Sequence, residues 1–264
     1  GVKRMIKKIK AYAKRNKGES GFNLHMCFNG NPGTGKTEVA RILSRILYDA
    51  GVLGEAKLVE TDGHGLLGKY VGETAPKTEA KINEAINGVL FIDAAYGLLG
   101  SVSAGGTVTS YGEDAIAVLL KAMEDKRGQF CVILAGYRDE MKALLSANPG
   151  FESRIQFVLD FPDYTREELG AIALAFLNKK KYDIKPSALD RLLDVVEYYR
   201  KLPNFANART VRNVIDQVLM NQNLRTEDVP SDNMIILDDV EDYLMDEGIG
   251  LSKPVKSKGH IGFV

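Results

Sequence analysis

The chain has 264 residues, enough to bury a sizeable core in one large or two modest domains. Thirty-five Lys and Arg balance thirty-five Asp and Glu, so no global charge calls for nucleic acid or a membrane surface. No apolar run approaches the ~20 residues of a membrane span and no signal peptide is visible. Cys27 and Cys131 sit inside strand-like apolar runs, which reads as buried free thiols in a reducing, cytoplasmic setting. His25, His64 and His260 are scattered without metal-ligand spacing, so no zinc site is predicted.

Residues 2–17 predict a basic amphipathic helix, with Met5, Ile6, Ile9 and Tyr12 on one side and Lys or Arg over much of the rest. It reads as a surface helix docked by its apolar stripe rather than a nucleic-acid arm. From Gly21 strands alternate with helices. The strands fall over 24–28, 57–61, 89–93, 130–135 and 155–161; the helices fall over 36–50, 74–86, 113–124 and 138–146. That βαβ rhythm predicts a parallel sheet covered on both faces, with ligands beyond the carboxyl ends of its strands.

Between the first strand and the first of these helices lies Gly30-Asn31-Pro32-Gly33-Thr34-Gly35-Lys36-Thr37, with Glu38 next. Strand, glycine loop and helix together make the setting a phosphate-binding loop needs. The glycines let successive backbone N–H groups turn inward on a phosphate, and the helix dipole adds to the attraction. Lys36 is placed to neutralise β- and γ-phosphates and the Thr37 hydroxyl to hold Mg²⁺. The run Val89-Leu-Phe-Ile-Asp93 has the form of a buried parallel strand ending in an acid, suited to Mg²⁺ through water. Residue 94 is Ala, where ATPases of this type place a Glu that polarises the attacking water. The chain is therefore expected to bind ATP and to hydrolyse it poorly.

A different regime begins at Asp163. Thr165 and Glu168 form a capping box that opens a helix to about residue 179; further helices follow over 186–200 and 206–224, then a short apolar stretch and a last helix from 235. The expected organisation is an α/β nucleotide-binding domain over 1–162, a small helical lid over 163–247, and a linker or disordered end over 248–264. The opening Gly1-Val-Lys without Met suggests a piece of a longer protein.

Other positions carry two readings each. Arg154, just before the fifth strand, either reaches a neighbouring subunit's γ-phosphate or closes a surface salt bridge. Arg209 and Arg212 share a helical face and are either ordinary helix charges or readers of a phosphate. Lys69-Tyr70-Val71-Gly72 is a glycine-framed loop whose tyrosine either packs locally or grips a peptide. The glycine- and serine-rich stretch 97–112 reads as a long loop without structure of its own.

Taken together, Gly30–Thr37, Tyr70-Val-Gly-Glu-Thr-Ala-Pro-Lys-Thr78, Gly88-Val-Leu-Phe-Ile-Asp93, Ala135-Gly-Tyr137, Asn148-Pro-Gly-Phe-Glu-Ser-Arg154, Phe161-Pro-Asp-Tyr164 and Phe205-Ala-Asn-Ala-Arg209-x-Val-Arg-Asn213 resemble one AAA+ branch. It holds CbbX (CfxQ), the red-type Rubisco activase, and the stage V sporulation protein K ATPases, and the match spans residues 1–224. The resemblance implies a hexameric homo-oligomeric ring with ATP or ADP and Mg²⁺ between subunits, and a five-stranded sheet ordered 5-1-4-3-2. That order sets the strands of Cys27 and Cys131 side by side. It implies an arginine finger at Arg154, sensor 2 at Arg209, sensor 1 near Tyr137, and Tyr70 as the pore aromatic that pulls a protein client.

Two departures accompany it. Ala94 stands for the family's Glu in Phe-Ile-Asp-Glu-Ala-Tyr, and a lone change in an otherwise intact motif set reads as an introduced substitution more readily than natural loss. The chain also opens where the family's adenine-contacting segment ends. The competing reading is an ATP-dependent assembly or scaffold protein without turnover, against which Arg154 and Arg209 argue. A small-molecule P-loop kinase leaves the helical domain unexplained, and a DNA-loading ATPase lacks a basic face beyond residues 3–17.

Overall fold

The computed structural model describes residues 2–15, 24–99, 111–229 and 232–251. The chain divides into two compact units, Gly1–Pro162 and Asp163–Val264. The first is built on five strands: β1 (Met26–Gly30), β2 (Leu58–Asp62), β3 (Val89–Asp93), β4 (Cys131–Gly136) and β5 (Phe157–Phe161), in the order 2-3-4-1-5. Every pairing is parallel, which is the expected order read from the other edge.

Strand alternation divides the core between two faces. On one face Cys27, Leu90, Ile92, Val132 and Leu134 pack with α3 (Thr74–Glu84), α4 (Tyr111–Asp125), α5 (Arg138–Ala147) and Phe151 of α6 (Pro149–Arg154). On the other, Met26, Phe28, Phe91, Cys131 and Ile133 pack with Met5 and Ile9 of α1 (Val2–Arg15) and Leu43 and Leu47 of α2 (Lys36–Asp49). The two cysteines therefore lie on neighbouring strands but opposite faces, both buried and free. Burial raises the Cys27 thiol to about 12 and pushes Cys131 up as well, so both are inert at neutral pH.

Met5, Ile6 and Ile9 of the predicted apolar stripe pack against the sheet; residues 16 and 17 lie outside the described residues. The predicted loop 97–112 is shorter at both ends. Residue Gly97 lies in a 3₁₀ turn over Ala95–Leu99 and Tyr111 already opens α4; residues 100–110 lie outside the described residues. The segment before the fifth strand, given no element in the sequence reading, is α6: Pro149 occupies its first turn, where a missing N–H costs nothing.

The second unit packs α7 (Arg166–Lys180), α8 (Pro186–Arg200), α9 (Ala208–Arg225) and α10 (Leu237–Asp246) around one apolar core. Thr165 and Glu168 make the reciprocal capping bonds that start α7. A two-residue parallel pair, β6 (Asp183–Ile184) with β7 (Met234–Ile235), is too short to leave a period in the sequence. The expected linker from residue 248 begins with packed chain: Ile249 and Leu251 rest on this core and Arg191 donates to the Leu251 carbonyl at 3.2 Å. Residues 252–264 lie outside the described residues.

Candidate active site

The parallel register brings the carboxyl ends of β1, β3 and β4 to one rim. Asn29 stands beside Gly136, and Ile92 beside Leu134, so Gly30, Asp93 and Tyr137 all leave the sheet on that side. The loop from Gly30 to Gly35 turns through two left-handed glycines, Gly33 (φ +71°) and Gly35 (φ +87°). It closes on itself where the Thr34 hydroxyl donates to the Asn31 carbonyl at 2.8 Å. Gly35 is the N-cap of α2 and supplies no side chain, so the first-turn N–H groups point past it into the loop. Lys36 is drawn across the loop, its Nζ donating to the carbonyls of Gly30 at 2.7 Å and Asn31 at 2.9 Å. A cationic side chain, two left-handed glycines and the start of a helix are thus collected in one short loop, and a cation beside first-turn N–H groups and a helix dipole fits a polyphosphate. Of the candidate stretch, Pro32 and Thr37 are half-buried, while exposed Glu38 turns along α2 to accept from Arg41 at 2.9 Å.

The Asp93 carboxylate is exposed at the tip of β3 and accepts the Ala94 N–H at 3.0 Å. Ala94 itself has φ +44°, a conformation L side chains adopt reluctantly. It is held there because its carbonyl accepts from Gly97 at 2.9 Å and Gly63 donates to the Asp93 carbonyl at 3.0 Å. With one methyl group, residue 94 offers neither a base nor a ligand. The Thr37 hydroxyl and the exposed Asp93 carboxylate are hard oxygen donors of the kind that could hold Mg²⁺. Among the described residues no cluster of three His, Cys, Asp or Glu is arranged for a metal.

Tyr137 leaves β4 half-exposed and stacks on Tyr96, with ring centroids 5.8 Å apart and planes at 28°. Burial, then Tyr137, Glu140 and Asp93, raise the Tyr96 hydroxyl above its ordinary value. This aromatic pair on the rim was not legible in sequence, because its two halves come from the turns that follow β3 and β4.

Arg154 ends α6 and turns back onto its own chain. Its guanidinium donates to the Gly150 carbonyl at 3.1 Å, to the Ser153 hydroxyl at 3.3 Å and to Glu124 of α4 at 3.1 Å. Tyr70 and Val71 project from a fixed frame, 71% and 87% exposed. Glu73 accepts from the backbones of Lys69 and Tyr70 at 3.0 and 3.1 Å, and Thr74 accepts from Gly68 at 3.0 Å. Gly72 (φ +85°) makes the turn, so the aromatic is presented by a built loop and does not pack locally.

In the helical unit the two arginines of α9 part company. Arg212 lies over the Phe176 ring at 4.9 Å, whereas Arg209 is exposed and its guanidinium has no ion pair among the described residues. Upstream of Arg209, Asn207 is fully buried at φ +48° and its side chain reaches Asp163 and Tyr164.

A parallel sheet carrying a Gly-rich loop at the start of α2 and an acid at the end of β3 defines the P-loop nucleotide-binding class. The family model "ATPase family associated with various cellular activities (AAA)" matches residues 26–163, and an AAA lid domain matches 165–245. The chain belongs to the AAA ATPase family. It is 44% identical over 202 residues to Protein CfxQ of Xanthobacter flavus, a match covering 76% of this chain and 62% of that protein. It is 39% identical over 234 residues to Stage V sporulation protein K of Bacillus subtilis, covering 85% and 71%. The Thermotoga maritima RuvB Holliday junction branch migration motor superposes with a TM-score of 0.66 at 20% identity, over 94% of this chain and 69% of that one, a likeness of fold. The chain thus spans 62% to 71% of the two curated relatives. No helix among the described residues is long and apolar enough to cross a membrane.

Proposed function

We propose that this chain is an ATP-binding subunit of a homo-oligomeric, hexameric ring ATPase that remodels or threads a protein client in the cytoplasm, with turnover slowed at Ala94. The observation that carries the reading is Lys36, held across the glycine loop at the start of α2, where the N-cap Gly35 brings no side chain. In this reading the backbone from Gly30 to Thr37 and the Lys36 ammonium bind the phosphates of ATP or ADP. Bound at Thr37 and Asp93, Mg²⁺ would offset charge on the β- and γ-phosphate oxygens. Ala94 has no carboxylate to take a proton from water, so the chain holds ATP longer than it cleaves it. Arg154 serves a neighbouring subunit's γ-phosphate, Arg209 reads nucleotide state from the helical unit, and Tyr137 lines the rim as sensor 1. Lys69, Tyr70, Val71 and Gly72 present the client-gripping aromatic.

A second reading, an ATP-dependent assembly protein without turnover, is favoured by Ala94 alone. Steady-state ATP hydrolysis separates them, comparing this chain with Ala94→Glu and using Lys36→Ala as the blank. A well-placed general base contributes roughly 10²–10⁴-fold, and the Glu variant is expected to gain on that order. Both chains remaining at the blank while still binding ATP would sink the motor reading in favour of assembly.

A further inference from the structure

Glu124, near the end of α4, makes two ion pairs at once. One oxygen takes the Nη2 of Arg154 at 3.1 Å, and the other takes Arg127 from one turn along. Arg154 is meanwhile tied through Nη1 to Gly150 and Ser153, and its Nε is buried without a partner. The Arg154 side chain is 24% exposed, and its guanidinium is fixed from two sides by its own subunit, with one Nη2 hydrogen left to offer.

An arginine side chain carries about 2 kcal/mol of rotamer entropy, and a donor held in place before its ligand arrives avoids that loss on binding. A single carboxylate facing a single arginine would cancel the charge a phosphate needs. Here two guanidiniums share one carboxylate, so the triad keeps a net charge of about +1 while the acid still sets direction.

We propose that Glu124 is a positioning residue: it aims Arg154 at the terminal phosphate of a nucleotide held by a neighbouring copy, and Arg127 preserves the positive charge of the edge. The inference rests on Arg154 acting between subunits, as argued under the proposed function. It adds the residue that makes this arginine competent; a donor aimed at a γ-phosphate has nothing to contact in a diphosphate, so its loss should weaken triphosphate binding alone.

The test is the affinity of the assembled chain for fluorescent ATP and ADP analogues. Glu124→Ala should weaken ATP by about tenfold, the loss expected for one charge-assisted contact, and leave ADP unchanged. Adding Lys36→Ala subunits, which lack a working nucleotide loop but carry an intact Arg154, should restore ATP affinity to the Glu124→Ala sites. Arg154→Ala runs in parallel and should show the same loss and the same rescue. Equal weakening of ATP and ADP, or no rescue by mixing, would mean Glu124 merely supports the fold. If Arg154→Ala behaves as expected while Glu124→Ala matches the parent, the positioning role alone is wrong. If Arg154→Ala itself leaves ATP binding unchanged, the intersubunit reading fails and takes this inference with it.

Discussion

Asn207 stitches the first turn of α9 to the chain's entry into the helical unit: its Oδ1 accepts from the Tyr164 N–H at 3.0 Å and its Nδ2 donates to Asp163 at 2.8 Å. It does so at φ +48°, ψ −122°, in a tight turn closed by Arg209 N–H donating to the Ala206 carbonyl at 2.9 Å. Glycine suits that first turn position best, so the side chain is kept at the expense of backbone strain. Arg209 follows two residues later, and its direction depends on this knot.

Two substitutions at Asn207 separate strain from hydrogen bonding. Asn207→Ala keeps the strain and removes the side-chain bonds to Tyr164 and Asp163, costing about 2–3 kcal/mol; Asn207→Gly relieves the strain and should cost about 1 kcal/mol less. Chemical denaturation measures both. Equal stability of the two variants would show that the backbone here is not strained.

Ala94 allows stability and turnover to be pulled apart. Ala94→Gly should stabilise the chain by about 1 kcal/mol, since glycine adopts φ +44° freely, without raising ATP hydrolysis. Ala94→Glu should do the reverse, gaining hydrolysis with no gain in melting temperature. A rise in hydrolysis with Gly would remove the carboxylate argument.

His25 makes stability depend on pH. Its Nδ1 accepts from the Val132 N–H at 3.0 Å, and burial lowers its pKa to about 4; the Met123 backbone offsets this in part, and Arg154 and Arg127 push further down. The folded pKa lies below the unfolded value of about 6.5, so the unfolded chain takes up the proton first. Stability is full above pH 6.5 and falls by up to about 3 kcal/mol as pH drops to about 4. Urea midpoints across that window should slope accordingly, and His25→Gln should flatten the slope; an unchanged slope would place the titration elsewhere.

Gly30 and Gly51 should respond unequally to alanine. A Cβ on Gly30 would meet the Phe161 carbonyl at 2.5 Å and its Cβ at 2.8 Å, forcing β1 from β5, whereas at Gly51 it meets nothing within 4 Å. Gly30→Ala is expected to cost about 1–3 kcal/mol by overpacking and to weaken nucleotide binding with it. Gly51→Ala, which suffers only its φ of +67°, should cost about 1 kcal/mol and leave binding intact. Nucleotide titration alongside thermal melts checks the pair; equal binding losses would mean the phosphate loop does not depend on that strand contact.

Tyr70 should be silent in stability and decisive in client handling. At 71% exposure its truncation to Ala should change stability by less than about 0.5 kcal/mol. Glu73→Ala, in contrast, should expose the Lys69 and Tyr70 amides to faster hydrogen exchange by removing their acceptor. Unchanged exchange would show that the loop holds its shape without Glu73.

The sequence by itself carried the sheet, its order through the resemblance, the capping box at Thr165 and the position of the glycine loop. These are encoded locally, in hydrophobic period, in glycines that permit left-handed turns and in side chains that bond their own backbone three residues away. Only the tertiary structure paired Arg154 with Glu124 thirty residues before it, stacked Tyr96 on Tyr137, tied Asn207 to Tyr164 and sent Cys27 and Cys131 to opposite faces. It also supplied β6 and β7, whose two residues each are too few to show alternation. Such contacts join segments whose separation along the chain carries no period, and packing of the helices on the sheet fixes which of them meet.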